Sequence, residues 1–160
     1  MAYTPASLRP GDVLLKRATW NDPVGLLIGC AQGSPYCHAA WVGDGFLVEA
    51  LELVTVSPLG KYAAVADAYT LTVQPTDEQL TAMEQYAKKQ VGRPYGWKDV
   101  AADFARFVLH IPVPRPILVH RMDCSMLVWA ITRAGGINLS NAPYVAPLDL
   151  AYSPLLAPAP

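Results

Sequence analysis

The sequence predicts a single α+β domain, and three of its features support this. The 160 residues are 52% hydrophobic and only 16% charged, a composition typical of a compact domain with a buried core. Short segments with strand character, bounded by Pro and Gly turns, occur together with segments of helical periodicity. No internal repeat is present. We therefore expect one domain over residues 1–160, with a core at about 9–150.

The first third of the chain begins with a strand and a helix. Residues 11–17 follow a Pro-Gly turn and have strand character. Asp22 is a suitable N-cap and Pro23 a suitable first residue for an apolar helix over residues 24–31.

A β-hairpin follows, with strands over residues 38–42 and 46–51. Between them, Asp44-Gly45 is a favoured two-residue turn, because both central residues must accept positive φ. Two later segments also have strand character, residues 53–56 and 68–73. The stretch between those two strands favours neither strand nor helix.

The second half of the chain is mainly helical. Thr76 and Gln79 match a capping box at the start of an amphipathic helix. Two further helices are predicted over residues 97–109 and 123–133, the second ended by a Gly pair. The tail from Pro143 is rich in Pro and Ala, and we expect its last residues to be loosely ordered.

Composition excludes several classes of function. The net charge is −1 and no long Lys/Arg run is present, so the electrostatic signature of nucleic-acid binding is missing. No apolar stretch is long enough to span a bilayer, so no transmembrane segment is expected. The first ten residues lack a basic region followed by an apolar one, so we expect no signal peptide and synthesis in the cytoplasm.

The chain has three cysteines, Cys30, Cys37 and Cys124. Their odd number and the missing leader argue against a disulfide framework, and a Cys30–Cys37 pair is not favoured. There is no CxxC pair, which argues against a structural zinc site. No metal ligand and no cofactor is predicted. Cys30 in an apolar helix and Cys37 beside a strand fit the role of buried structural cysteines.

Cys124 is the candidate nucleophile. The segment 126–131 is apolar on nearly every side, which predicts a buried helix with Cys124 at its N-terminal end. Free amides and the helix dipole favour negative charge there, so the thiolate form is favoured. The same end of the helix could stabilise an oxyanion, which makes Asp123 and Ser125 candidate substrate-binding or oxyanion residues. A buried structural cysteine is the alternative.

Three histidines compete for the role of base. His110 closes a predicted helix beside a proline-rich turn, where it acts most simply as a capping cation. His120 lies four residues before Cys124 and is a weaker candidate for a supporting group. His38, in the hairpin, has the better geometry.

The hairpin brings His38 close to Glu49. With a two-residue turn, Ala40 faces Glu49, which makes His38 and Glu49 diagonal neighbours on one face, roughly 7–8 Å apart at the backbone. Glu49 can then hold one imidazole nitrogen and leave the other for a thiol. An exposed polar pair is the alternative, but the apolar strand around Glu49 favours a partner that offsets its desolvation. By the same register, Glu52 points to the other face.

Five segments together resemble a known family. They occur in the order Gly11-Asp12-Val13-Leu14, Cys37-His38-Ala39-Ala40-Trp41-Val42, Val48-Glu49-Ala50, Gly92-Arg93-Pro94-Tyr95-Gly96-Trp97 and Asp123-Cys124-Ser125. This order resembles the circularly permuted branch of the NlpC/P60 superfamily, the YiiX/YebB-like cysteine hydrolases. The resemblance covers residues 11–136, and the histidine precedes the cysteine as in that branch.

The resemblance implies a papain-like α+β fold, with a central antiparallel sheet or small barrel packed against helices. It implies a Cys-His dyad with a third polar residue, matched here by Cys124, His38 and Glu49. A tyrosine near the active site is matched by Tyr95 in the substrate-binding region, although Gly96 replaces the acidic residue that usually follows. The substrates of the family are amides, esters or thioesters.

The expected function is hydrolysis of amide bonds through a Cys124 thioester, in peptidoglycan stem peptides. A wall hydrolase without a leader suits a phage-encoded lysin or virion component, or an effector delivered by another route. Two alternatives stay open, a lipid or small-molecule amidase, thioesterase or acyltransferase, and a non-catalytic binding or structural module. A metal site formed by Cys37, His38 and Cys124 is a remote further reading.

Overall fold

The computed structural model describes residues 3–94 and 123–160. In these ranges the chain forms six strands and four α-helices. They are β1 (Val13–Arg17), α1 (Pro23–Gln32), β2 (Tyr36–Val42), β3 (Phe46–Ala50), β4 (Val54–Pro58), β5 (Ala66–Leu71), α2 (Asp77–Gln90), α3 (Cys124–Ala134), α4 (Pro147–Ala151) and β6 (Leu156–Pro158). The α+β class is confirmed.

The strands form one antiparallel sheet in the order β4-β3-β2-β1-β5-β6. Of the two expected forms, sheet or small barrel, the described residues form an open sheet with β4 and β6 at its edges. Strands β1, β2 and β3 are buried for most of their length. The middle of the sheet is therefore a rigid support for side chains at the ends of these strands.

Each face of the sheet carries its own hydrophobic cluster. On one face, Val13, Trp41 and Val48 belong to a cluster with Met83 of α2 and Leu127 of α3. On the other face, alternate strand residues form a smaller cluster with two tyrosines from outside the sheet; its members include Leu14, Ala40, Leu47, Tyr3 and Tyr62. Helices α2 and α3 therefore cover one face, and segments outside the sheet and the α-helices cover the other.

The predicted register of the β2–β3 hairpin is confirmed. Ala40 pairs with Glu49, and Val42 pairs with Leu47. The amide of Gly43 donates to the carbonyl of Phe46 at 2.8 Å, which leaves a two-residue turn of Asp44 and Gly45. Because side chains alternate along a strand, this register places the side chains at 38 and 49 on the face with the smaller cluster.

A bulge interrupts the pairing of β1 with β2 next to His38. Lys16 pairs with His38 and Arg17 pairs with Tyr36, which leaves Cys37 as the extra residue. The thiol of Cys37 donates to the carbonyl of Lys16 at 3.6 Å. Bulges bend a strand and redirect side chains, and this one lies at the end of β2 that carries His38.

Three helices begin where the sequence predicts. Asp22 caps α1 by accepting from the amide of Gly25 at 2.8 Å. Thr76 and Gln79 form the expected capping box at the start of α2. Helix α3 begins directly after Asp123, whose side chain caps it. The helix predicted for residues 97–109 lies outside the described residues.

The expectation of a loosely ordered C-terminal tail is wrong. Residues beyond Pro143 form α4 and β6, and β6 pairs antiparallel with β5. Leu150 and Leu156 are buried, and the hydroxyl of Ser153 donates to the carbonyl of Leu139 at 2.7 Å. The Pro- and Ala-rich composition did not indicate this order. The segment is stabilised by two buried leucines and by pairing with the edge of β5.

Across residues 3–94 and 123–160, every helix is too short or too polar to cross a bilayer.

The hairpin turn leads to a test of stability. Gly45 has φ +82°, and a Cβ added there would meet no atom within 4 Å. Gly45→Ala should therefore reduce the free energy of unfolding through backbone strain alone, by about 1–2 kcal/mol. Urea denaturation measures this change. In the control Gly60→Ala, the nearest atom to the added Cβ is 3.6 Å away and φ is not positive, so no loss is expected. Equal losses in the two variants would contradict the strain argument.

Candidate active site

His38 and Glu49 form a buried hydrogen bond. Nε2 of His38 lies 2.7 Å from Oε2 of Glu49. Glu49 is 0% exposed and His38 is 9% exposed. The contact between these diagonal neighbours is thus present as predicted. Because an ionised carboxylate can only accept, Nε2 of His38 donates and carries the proton.

Lys61 and Tyr62 also donate to Glu49. The ammonium of Lys61 donates to Oε1 at 2.6 Å, and the hydroxyl of Tyr62 donates to Oε2 at 2.6 Å. Burial raises the pKa of Glu49, but hydrogen bonds from His38, Lys61, Ser57 and Tyr62 outweigh it and lower that pKa to about 2. Glu49 is therefore ionised at neutral pH, and its desolvation is offset by charge-assisted hydrogen bonds.

The sequence did not reveal the roles of Lys61 and Tyr62. Both belong to a short 3-10 helix, Leu59–Tyr62, in the stretch that favoured neither strand nor helix. The ring of Tyr62 also packs edge-on against the imidazole of His38, with centroids 5.7 Å apart. The sequence carried only an indirect signal for them: Glu49 lies in an apolar strand, and a buried carboxylate requires hydrogen-bond donors. Nothing in the sequence indicated which residues would supply them.

Cys124 approaches His38 from the helix-covered face. It is the first residue of α3, is 6% exposed, and belongs to the cluster on that face. Burial disfavours the imidazolium of His38, but the charge and hydrogen bond of Cys124, together with those of Glu49, raise the pKa of His38 to about 9. Since Nε2 is engaged by Glu49, Nδ1 is the imidazole nitrogen left for Cys124. Glu49 and Cys124 thus both act on the imidazole of His38.

The neighbours of Cys124 fix the first turn of its helix. Oδ1 of Asp123 accepts from the amide of Met126 at 2.7 Å, and the hydroxyl of Tyr144 donates to Oδ2. Ser125 is 1% exposed, and its Oγ lies 3.8 Å from the sulfur of Cys124. Asp123 thus acts as a helix cap. The oxyanion roles of Asp123 and Ser125 stay predictions.

A cleft opens beside the imidazole of His38. It encloses about 620 Å³, including the space at its mouth. Its lining includes the ion pair of Lys16 with Asp22, and the apolar side chains of Ile28 and Leu51. The cleft therefore offers both charged and apolar surface to a molecule that approaches His38.

The other two cysteines have different surroundings. Cys37 lies against α1, where a Cβ added to Gly25 would be 2.9 Å from its sulfur. Burial raises the pKa of Cys37 to about 11, so its thiol stays protonated at neutral pH. Cys30 is exposed, and its expected burial is wrong. All three thiols are free.

Several predicted groups cannot be placed. Tyr95, His110 and His120 lie outside the described residues, and their predicted roles stay predictions. Within the described ranges, no group of three or more His, Cys, Asp or Glu side chains is arranged to hold a metal ion.

The buried pair of His38 and Glu49 should give stability a defined pH dependence. The pKa of Glu49 is lowered to about 2 from its ordinary 4.5, so its contribution is present above pH 4.5 and is lost as pH falls toward 2. The pKa of His38 is raised to about 9 from 6.5, so its contribution is present below pH 6.5 and is lost as pH rises toward 9. The sum of the two contributions to the free energy of unfolding should be greatest between pH 4.5 and 6.5.

Urea denaturation at a series of pH values measures this dependence. The difference in unfolding free energy between wild type and Glu49→Gln should shrink below pH 4.5. The difference between wild type and His38→Gln should shrink above pH 6.5. Differences that stay constant with pH would contradict the proposed charges of this pair.

Comparison with known proteins identifies a related fold. The chain is similar to the crystal structure of the metalloprotein YiiX (DUF1105) from Escherichia coli O157:H7, with a TM-score of 0.71 and 18% sequence identity. The similarity covers 95% of this chain and 96% of that chain. No protein-family model and no curated protein sequence matches the chain. At this identity the comparison concerns the fold, and the chain has a YiiX-like fold.

Proposed function

We propose that the protein is a cysteine hydrolase of the permuted NlpC/P60 type, with a papain-like arrangement of its site. In this proposal Cys124 is the nucleophile, His38 is the base and Glu49 orients the histidine. The observation that carries the proposal is the buried contact of Glu49 with Nε2 of His38, which leaves the other imidazole nitrogen for Cys124. The order of motifs along the sequence supports the same family.

The proposed reaction follows from the two nitrogens of His38. Nδ1 takes the thiol proton of Cys124, and the resulting thiolate attacks the acyl carbon of the substrate. Collapse of the intermediate breaks the bond to the leaving group, which takes the proton from the imidazolium, and a thioester remains. His38 then deprotonates a water molecule that attacks the thioester. This step releases the acid and restores the thiol.

Other groups support this chemistry in the proposal. The pKa of His38, raised to about 9, allows the imidazole to hold the proton that it takes from the thiol. The amides in the first turn of α3, which Asp123 caps, provide donors for the oxyanion. Glu49 stays ionised throughout and stabilises the imidazolium.

As substrate we propose the stem peptides of peptidoglycan. The resemblance to cell-wall hydrolases supports this choice, and the cleft beside His38 has a suitable character. Its lining combines the Lys16–Asp22 ion pair with apolar side chains such as Leu51. Pockets of mixed character suit short peptides, whose backbones are polar and whose side chains are often apolar.

The proposed reaction passes through no metal ion. The similar structure, YiiX, is that of a metalloprotein, so the fit of this site to a metal ion bears on the mechanism. In the part of the chain that the structure describes, no group of three or more suitable ligands occurs. The described donors do not fit a metal centre, and Nε2 of His38 is instead engaged by Glu49.

Substitution of the nucleophile tests this proposal. Cys124→Ala should reduce release of new amine termini from cell-wall fragments by about 10³-fold or more, because no thioester can form. Mass spectrometry of the fragments measures the release, and acyl-ester and acyl-amide probes measured in parallel identify the bond class. The control is Cys30→Ser, which removes an exposed thiol outside the site and should leave the rate unchanged.

Equal release by wild type and Cys124→Ala on every substrate would contradict a thioester mechanism. A thiol probe that labels Cys124 no faster than Cys30 would favour the non-catalytic alternative.

A further inference from the structure

The two carboxylate oxygens of Glu49 have different partners. Oε2 accepts from Nε2 of His38 and from the hydroxyl of Tyr62, at 2.7 Å and 2.6 Å. Oε1 accepts from the ammonium of Lys61 at 2.6 Å. Because a carboxylate is planar, a partner that holds Oε1 also fixes the direction of Oε2. Lys61 therefore constrains the contact between Glu49 and His38.

Lys61 brings a positive charge to this buried carboxylate from the solvent side. Its side chain is 31% exposed, whereas that of Glu49 is 0% exposed. The ammonium also donates to Oγ of Ser57 at 3.2 Å and lies 5.2 Å from the ring centroid of Tyr62. It is thus held in place, while part of its hydration is retained. The ion pair forms without the cost of burying both charges.

Lys61 also completes a row of alternating charges. With the site in its thiolate form, Cys124, His38, Glu49 and Lys61 carry negative, positive, negative and positive charge, and the sum is zero. We call these four residues the charge row. Without Lys61, the three buried members would carry a net charge of −1. Low dielectric disfavours such a charge, so Glu49 or the thiol would retain a proton.

We propose that Lys61 is a positioning residue of the hydrolase site, which holds the ionised carboxylate of Glu49 against His38 and balances the charge row. Lys61 acts through Glu49 and does not touch the reacting atoms. This inference rests on the proposed function, because the row ends at the proposed nucleophile.

The other titratable groups near the row are two phenols, the thiol of Cys37, the ion pair of Lys16 with Asp22, and Glu52, which is exposed at the edge of the same cleft. Burial raises the pKa of the phenols of Tyr3 and Tyr62, so both stay neutral over the pH range of the test. Burial likewise raises the pKa of Cys37 to about 11. In the cleft beside His38, Lys16 and Asp22 form an ion pair. Because Glu52 and the ion pair are the same in wild type and in every Lys61 variant, a difference in pH response between these proteins comes from the charge row.

The test follows the ionisation of Glu49 directly. In protein labelled with ¹³C-glutamate, the carboxyl shift of Glu49, assigned with Glu49→Gln, is measured against pH. Lys61→Met should raise the midpoint by about one to three pH units, because a cation next to the carboxylate is lost. Lys61→Gln, which keeps a donor without the charge, should show the same increase. Lys61→Arg should match wild type, as should the control Lys88→Met on the exposed side of α2.

A second measurement links this change to the thiol. The rate at which an activated disulfide labels Cys124, located by peptide mass spectrometry, is recorded from acid to neutral pH. Protonation of Glu49 removes the counter-charge of the imidazolium and disfavours the thiolate. In Lys61→Met the acid limb of the labelling profile should therefore move to higher pH, in step with the carboxyl midpoint. A lysine with a merely structural role would lower the stability and leave both midpoints unchanged.

Three results would overturn the inference. The first is an unchanged Glu49 midpoint in Lys61→Met and Lys61→Gln. The second is a midpoint shift in Lys61→Arg as large as that in Lys61→Met. The third is a labelling profile of Cys124 that does not follow the carboxyl midpoint. Failure of the proposed function is recognised separately, because wild-type Cys124 would then react no faster than Cys30. In that case the carboxyl midpoint still decides whether Lys61 holds Glu49 ionised.

Discussion

The buried carboxylate of Glu49 is the constraint on which the rest of the site depends. A charge with no exposed surface is stable only if partners surround it, and His38, Lys61 and Tyr62 all donate to it. These partners come from β2 and from the 3-10 helix that follows β4. The carboxylate therefore ties the hairpin register to the position of that helix. A slip of one residue would turn Glu49 toward the helix-covered face and leave the charge unpaired.

The two faces of the sheet contribute different parts of the site. The cluster on the helix-covered face anchors α3, and the first residue of α3 is Cys124. The opposite face holds His38 and Glu49, beside the smaller cluster. The two sets of residues come together at the end of β2, where the bulge at Cys37 interrupts the ladder. The irregularity in the sheet thus lies where, in the proposed site, the thiol of Cys124 and the imidazole of His38 approach each other from opposite faces.

The sequence predicted the features that are set by residues close to each other along the chain. The Asp44-Gly45 turn sets the hairpin register, and the capping residues set the helix starts, because each signal acts within a few positions. The contacts of Glu49 with Lys61 and Tyr62 span 12 and 13 positions and pass through a segment without periodicity. Strand β6 was missed for a similar reason, since its order comes from pairing with β5, which is distant in the sequence.

The charge of Glu49 itself explains why a lysine belongs in this site. A neutral amide at position 49 would fix the tautomer of His38 with no buried charge, but it would stabilise an imidazolium less. With the site in the proposed thiolate form, a carboxylate stabilises the imidazolium, and two buried negative charges then surround one positive charge. The balance then requires a second cation on the far side of the carboxylate. Lys61 meets this requirement, because its ammonium reaches Oε1 while part of its side chain stays in solvent.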